Sequence, residues 1–138
     1  VGPTAYSFTV DRVTKRSGAA SLSIRNLRPE VYGSVTQRLA AAPYLGQALR
    51  FSVWLRTDNV VPNEYGKGAT PLLQAWAGGS PAVSASFETA AIAGTTEWIR
   101  REVGIDVPAS AEWIEVGVML TGSGTVWLDD AMLETASR

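Results

Sequence analysis

The sequence predicts an all-β chain folded as an antiparallel β-sandwich, and three features predict it. Apolar residues recur at every second position, as in Leu49, Phe51, Val53 and Leu55 or Ile114, Val116, Val118 and Leu120. That period matches the alternating faces of a strand. Turn-forming pairs punctuate the runs, at Arg28-Pro29, Ala42-Pro43, Asp58-Asn59, Gly78-Gly79, Val107-Pro108 and Gly122-Ser123-Gly124, and leave about nine short strands, which suits a sandwich or barrel. Helix formers cluster only at Leu39-Ala40-Ala41-Ala42, where Pro43 ends any helix after one turn.

In chain order the expected strands are Tyr6–Asp11, Ala20–Asn26, Ser34–Ala40, Leu49–Arg56, Pro71–Ala77, Ala82–Glu88, the run of Val103, Ile105 and Val107, Ile114–Leu120 and Thr125–Leu133. Val60–Ala69, with Pro62, Asn63, Gly66 and Gly68, is expected to be the longest surface loop. Thr121-Gly122-Ser123-Gly124-Thr125 is expected to be a tight hairpin, its glycines supplying positive φ. The expected core comprises Leu22, Ile24, Val35, Leu39, Leu49, Phe51, Val53, Leu55, Val103, Ile105, Ile114, Val116, Val118, Leu120, Val126 and Leu128.

The chain has 138 residues, 46% hydrophobic and 18% charged, which fits one domain over residues 1–138 with a real core. Twelve basic residues against thirteen acidic ones leave a net charge of −1, without the basic surplus that sequence-independent nucleic-acid binding needs. There is no Cys and no His, so thiolate chemistry and the commonest general base and transition-metal ligand are excluded. A metal would be a hard ion held by oxygens. No apolar stretch reaches the length of a membrane-spanning helix. The chain opens on Val1 with no signal-peptide pattern and reads as a mature fragment or a domain excised from a longer chain.

Several phrases carry a family resemblance. Ser17-Gly18-Ala19-Ala20-Ser21-Leu22-Ser23-Ile24, Val35-Thr36-Gln37-Arg38-Leu39, the run Tyr44–Arg56, Gly94-Thr95-Thr96-Glu97-Trp98 and Gly124-Thr125-Val126-Trp127-Leu128-Asp129-Asp130 fall in one collinear order over residues 6–134. Together they resemble carbohydrate-binding-module jelly rolls of the galactose-binding-like superfamily. The family's usual opening strand, reading like "N.GFE" before a Trp, is missing ahead of Tyr6. The resemblance implies a jelly-roll topology, a non-catalytic module binding an oligo- or polysaccharide, and a covalently linked catalytic or other domain in an extracellular or periplasmic protein. Similar domains also serve as accessory or protein-interaction modules and as effector-sensing domains of regulators. The resemblance further implies a structural Ca²⁺, with Asp130 matching the metal-binding Asp and the Ser17-Gly18 turn adding carbonyl oxygens; the bland alternative is that Asp130 accepts backbone hydrogen bonds.

Alternation places Ser52, Trp54 and Arg56 outward if Phe51, Val53 and Leu55 face the core. An outward Trp beside an Arg offers a ring for sugar C–H groups and a guanidinium for hydroxyls; the competing reading has Trp54 covered by a loop. Gln74 and Trp76 join that surface if Leu73, Ala75 and Ala77 face inward, with Arg38 beside them. Tyr44 and Tyr65 sit in loops, as a rim to the site or as packed caps. The resemblance implies that Trp98 is structural, at the sandwich edge; Trp113 is expected to cap the core, and Trp127 to face outward under a covering segment or partner. Glu102 and Asp106 lie on one strand face about 13 Å apart, beyond the ~5–9.5 Å of paired glycosidase carboxylates. The sequence therefore predicts no enzyme.

Overall fold

Alternation resolves into nine strands among the described residues: β1 (Tyr6–Asp11), β2 (Ser21–Asn26), β3 (Tyr32–Ala40), β4 (Ala48–Val61), β5 (Ala69–Ala77), β6 (Ser80–Ser84), β7 (Gly94–Asp106), β8 (Trp113–Thr121) and β9 (Ser123–Thr135). The computed structural model describes residues 6–11, 21–26, 32–63, 67–85 and 91–135. Five strands pair in the order β1-β2-β9-β4-β7 and four in the order β3-β8-β5-β6, with antiparallel neighbours throughout. The only helical turn among the described residues is a 3₁₀ turn at Ala42–Tyr44, with Pro43 in its first positions.

The inner rows form the core. Leu49, Phe51, Val53 and Leu55 of β4 are buried opposite Ile114, Val116, Val118 and Leu120 of β8, with Ile24, Leu73, Ala75, Val103, Ile105 and Val126 completing the layer. Each fully buried aliphatic side chain contributes about 1.5–3 kcal/mol relative to an exposed one. Val35, Leu39 and Leu128 of the expected core are only partly buried against it; the Leu22 side chain lies outside the described ones.

Two expectations about turns fail. The glycine run at 121–125 is not a hairpin, because β8 and β9 belong to different sheets. It is the crossing between layers. Gly122 and Gly124 have φ of +96° and +111°, and a Cβ on either would strike the backbone carbonyls of Val61 and Asn59 respectively. Glycine is needed there for close backbone approach. The tight hairpin is instead at Gly78-Gly79, which joins β5 to β6 through the pair Ala77 and Ser80. The expected loop at Val60–Ala69 is shorter than predicted, since β4 runs through a bulge at Asn59 (φ +52°) to Val61 and buries Val60.

β7 is an edge strand of the five-stranded sheet. Its inner row reads Ile99, Arg101, Val103 and Ile105, so a guanidinium stem enters the apolar layer opposite Val53, and the Arg101 Nε is buried without a hydrogen-bond partner. Outward, Glu102 accepts from Arg100 at 2.8 Å and pairs with Arg50 at 3.1 Å. That ion cluster ties β7 to β4 and gives Glu102 a structural role.

Candidate functional site

The outer face of the four-stranded sheet brings polar and aromatic side chains of β3, β8 and β5 into adjacent rows. Strand register sets two rows across it: Ala40, Trp113 and Trp76 in one, Arg38, Glu115 and Gln74 in the next. The Trp76 and Trp113 rings stack with centroids 4.7 Å apart and planes within 8°. That separation equals the spacing of neighbouring strands, about 4.7–4.9 Å. The rings therefore stand upright on the sheet and stack along its hydrogen-bonding direction. The Arg38 guanidinium lies 3.9 Å from the Trp113 centroid. Because β8 runs between β3 and β5, the order is guanidinium, Trp113, Trp76. Each contact contributes about 0.5–1.5 kcal/mol, so the ridge holds its shape before any ligand arrives.

Polar groups line the ridge. Thr36 Oγ1 donates to Glu115 Oε2 at 3.2 Å, and Gln74 Nε2 donates to Ser84 Oγ at 3.0 Å. Glu112 closes the neighbouring turn, its carboxylate accepting from the Gly78 N–H and its own N–H donating to the Trp76 carbonyl. Thr70 and Leu72 share the outward row of Gln74 and Trp76 yet are buried, so the face is open only towards its tryptophan end. Gly117 interrupts the row beyond Glu115; a Cβ there would strike the Val35 carbonyl. The Trp76 Nε1 is buried and lacks a hydrogen-bond partner.

Trp54 and Arg56 point outward from β4 as alternation required, but on the other sheet. β4 and β5 follow one another in sequence and sit in opposite layers, so their outward directions diverge. The expected single surface joining Trp54 to Trp76, Gln74 and Arg38 is thus corrected to two opposed faces. Around Trp54, register places Asp129 beside it and Trp127 beside Arg56, whose Cζ is 5.8 Å from the Trp127 centroid. Arg56 Nε lies 3.6 Å from Glu97 Oε2. Tyr44 packs against the core from the 3₁₀ turn and acts as a cap; Tyr65 lies outside the described residues. Trp113, expected to cap the core, is instead a half-buried outward residue. The missed signal is its phase, opposite to buried Ile114 and Val116 and shared with Glu115. Trp98 is half-buried on edge strand β7.

Asp130 sits in β9 with φ +52° and is exposed, its N–H donating to Asp129 Oδ1 at 2.8 Å. Among the described residues no group of three or more acidic side chains is arranged to hold a metal ion. The Ser17-Gly18 turn lies outside them, and the described residues do not by themselves make a calcium shell around Asp130.

No family model matches the chain. It is 27% identical over 140 residues to an uncharacterized HTH-type transcriptional regulator, YbfP, of Bacillus subtilis, covering 96% of this chain and 44% of that protein. The chain thus spans less than half the length of the curated relative it matches. Solved structures share its fold at lower identity. The C-terminal family 22 carbohydrate-binding module of Clostridium thermocellum Xyn10B superposes with a TM-score of 0.69 at 18% identity, covering 96% of this chain and 83% of that one. The CBM22-1 xylan-binding domain of Paenibacillus barcinonensis Xyn10C gives 0.67 at 12% identity, covering 96% and 83%. The enzymatically active domain of bacteriophage CBA120 tailspike protein 4 gives 0.69 at 11% identity, covering 95% of this chain and 18% of that one. The fold is that of a carbohydrate-binding-module-like jelly roll.

Proposed function

We propose that this chain is a non-catalytic carbohydrate-binding domain whose ligand lies on the outer face of the four-stranded sheet. The observation that carries the reading is the upright Arg38–Trp113–Trp76 stack beside a row of Arg38, Glu115 and Gln74. A saccharide needs an apolar wall for its C–H groups and interleaved donors and acceptors for its hydroxyls. The indole ridge is the wall. The guanidinium and the Gln74 amide donate, and Glu115 accepts from hydroxyls alongside its bond to Thr36. Because the stack is assembled in advance, binding loses little side-chain entropy. Fold neighbours that are themselves carbohydrate-binding modules support the reading.

A second reading rests on the relative. A match across nearly the whole chain to part of an HTH-type regulator favours an effector-sensing domain, and a saccharide is then the effector this face suits. An extracellular or periplasmic module attached to another domain and a sensor attached to a DNA-binding domain differ in flanking sequence and not in this site. A protein-interaction domain without a sugar site is the alternative that binding excludes. Affinity electrophoresis through gels holding soluble xylan, mixed-linkage β-glucan or galactomannan tests the function. Retardation of the parent by at least one polysaccharide, weakened about tenfold by Glu115→Gln, is expected. Unchanged retardation in that variant overturns the site.

A further inference from the structure

We infer that the outer face of the five-stranded sheet carries a second saccharide site, built from Trp54, Arg56, Trp127 and Asp129. The site uses none of the side chains assigned to the first. Register sets these four residues as a checkerboard, with Trp54 facing Asp129 across the ladder and Arg56 facing Trp127. Facing pairs in an antiparallel ladder have Cβ atoms about 4.5–5.5 Å apart and diagonal pairs about 7–8 Å. Each tryptophan therefore has a charged group of each sign beside it. All four residues are half-buried, and Ser52, next along the face from Trp54, is buried as a small floor residue.

The chemistry of this square selects its occupant. Opposite charges on one diagonal cancel, and Arg100, which faces Trp54 from β7, is paired with Glu102, so the square carries no surplus positive charge to attract a polyanion such as nucleic acid. Protein interface cores are depleted of Asp and Glu, whereas here the Asp129 carboxylate adjoins both rings. A neutral polyhydroxylated chain matches it, with Asp129 accepting from hydroxyls, Arg56 donating to them and the indoles covering C–H faces. Arg56 is available for that exchange. Its pairing with Glu97 spans 3.6 Å with the glutamate side chain 85% exposed, and solvent-exposed pairs of this kind contribute little. With sites on opposed faces, one domain bridges two polysaccharide chains or two turns of one.

Two readouts on one panel test this: gel retardation by soluble xylan, mixed-linkage β-glucan and galactomannan, and turbidity as each polysaccharide is titrated with protein. The parent is expected to be retarded and to raise turbidity by cross-linking. Trp54→Ala and Trp113→Ala should each keep weakened retardation and lose turbidity, and the double variant should lose both. Arg56→Gln, which removes no ring, gives the Trp54→Ala result if that variant unfolds. Complete loss of retardation in Trp113→Ala, no effect of Trp54→Ala and Arg56→Gln, or no retardation of the parent each overturns the second site. Complete loss in Trp54→Ala alone upholds it and overturns the site on the four-stranded sheet.

Discussion

The two outer faces use the same residue types and arrange them differently. On the four-stranded sheet two tryptophans occupy adjacent strands in register, so they stack on each other and Arg38 closes the row at 3.9 Å. On the five-stranded sheet each tryptophan adjoins a charge in register, and the Arg56 Cζ is 5.8 Å from the Trp127 centroid. One face is a wall fixed by its own contacts. The other is a mosaic whose charges remain exchangeable. The difference comes from register alone: Trp113 faces Trp76, whereas Trp127 faces Arg56.

Perturbing the inner rows should harm both faces together. Phe51→Ala, at a site 4% exposed, is expected to destabilise by about 3–5 kcal/mol and remove binding on either side through unfolding; chemical denaturation measures it. Gly122→Ala attacks the crossing that joins the layers, where positive φ and the Val61 carbonyl both oppose a Cβ; a loss of about 1–3 kcal/mol is expected. Next comes the wall itself. Trp113→Ala should cost about 1–2 kcal/mol and abolish the far-ultraviolet exciton couplet of coupled indoles, while Trp54→Ala leaves that couplet intact. A couplet surviving Trp113→Ala would break the distinction between the faces. The smallest effect is expected at Arg56→Gln, within about 1 kcal/mol of the parent in thermal melts, because its ion pair is exposed.

Strand phase was legible in the sequence, and strand partnership was not. Leu49, Phe51, Val53 and Leu55 announce their common face, and burial follows it. The same alternation is silent on which sheet a strand joins, since the pattern is identical in either layer. That is why Trp54 and Trp76, each outward as expected, end on opposed surfaces. The glycines at 122 and 124 looked like hairpin residues because positive φ is common to hairpins and to close backbone crossings. Trp113 was hidden by position, at the first residue of β8, where one neighbour fewer is available to show the alternation. The site proposed on the four-stranded sheet is half legible: alternation points outward at Arg38, Gln74 and Trp76, whereas Trp113 reads as structural and Glu115 carries no signal of its own.

Arg101 gives the molecule a property that neither face supplies. A thirteen-residue strand that lies at the edge of its sheet among the described residues is a template on which another chain can add a strand. Seating a guanidinium on the inward row, with Nε buried and unbonded, makes that edge costly to flatten against a second copy. Arg101→Leu is therefore expected to keep or slightly raise the melting temperature while promoting self-association in light scattering. The inward guanidinium thus guards this edge against strand addition wherever copies of the chain come close together.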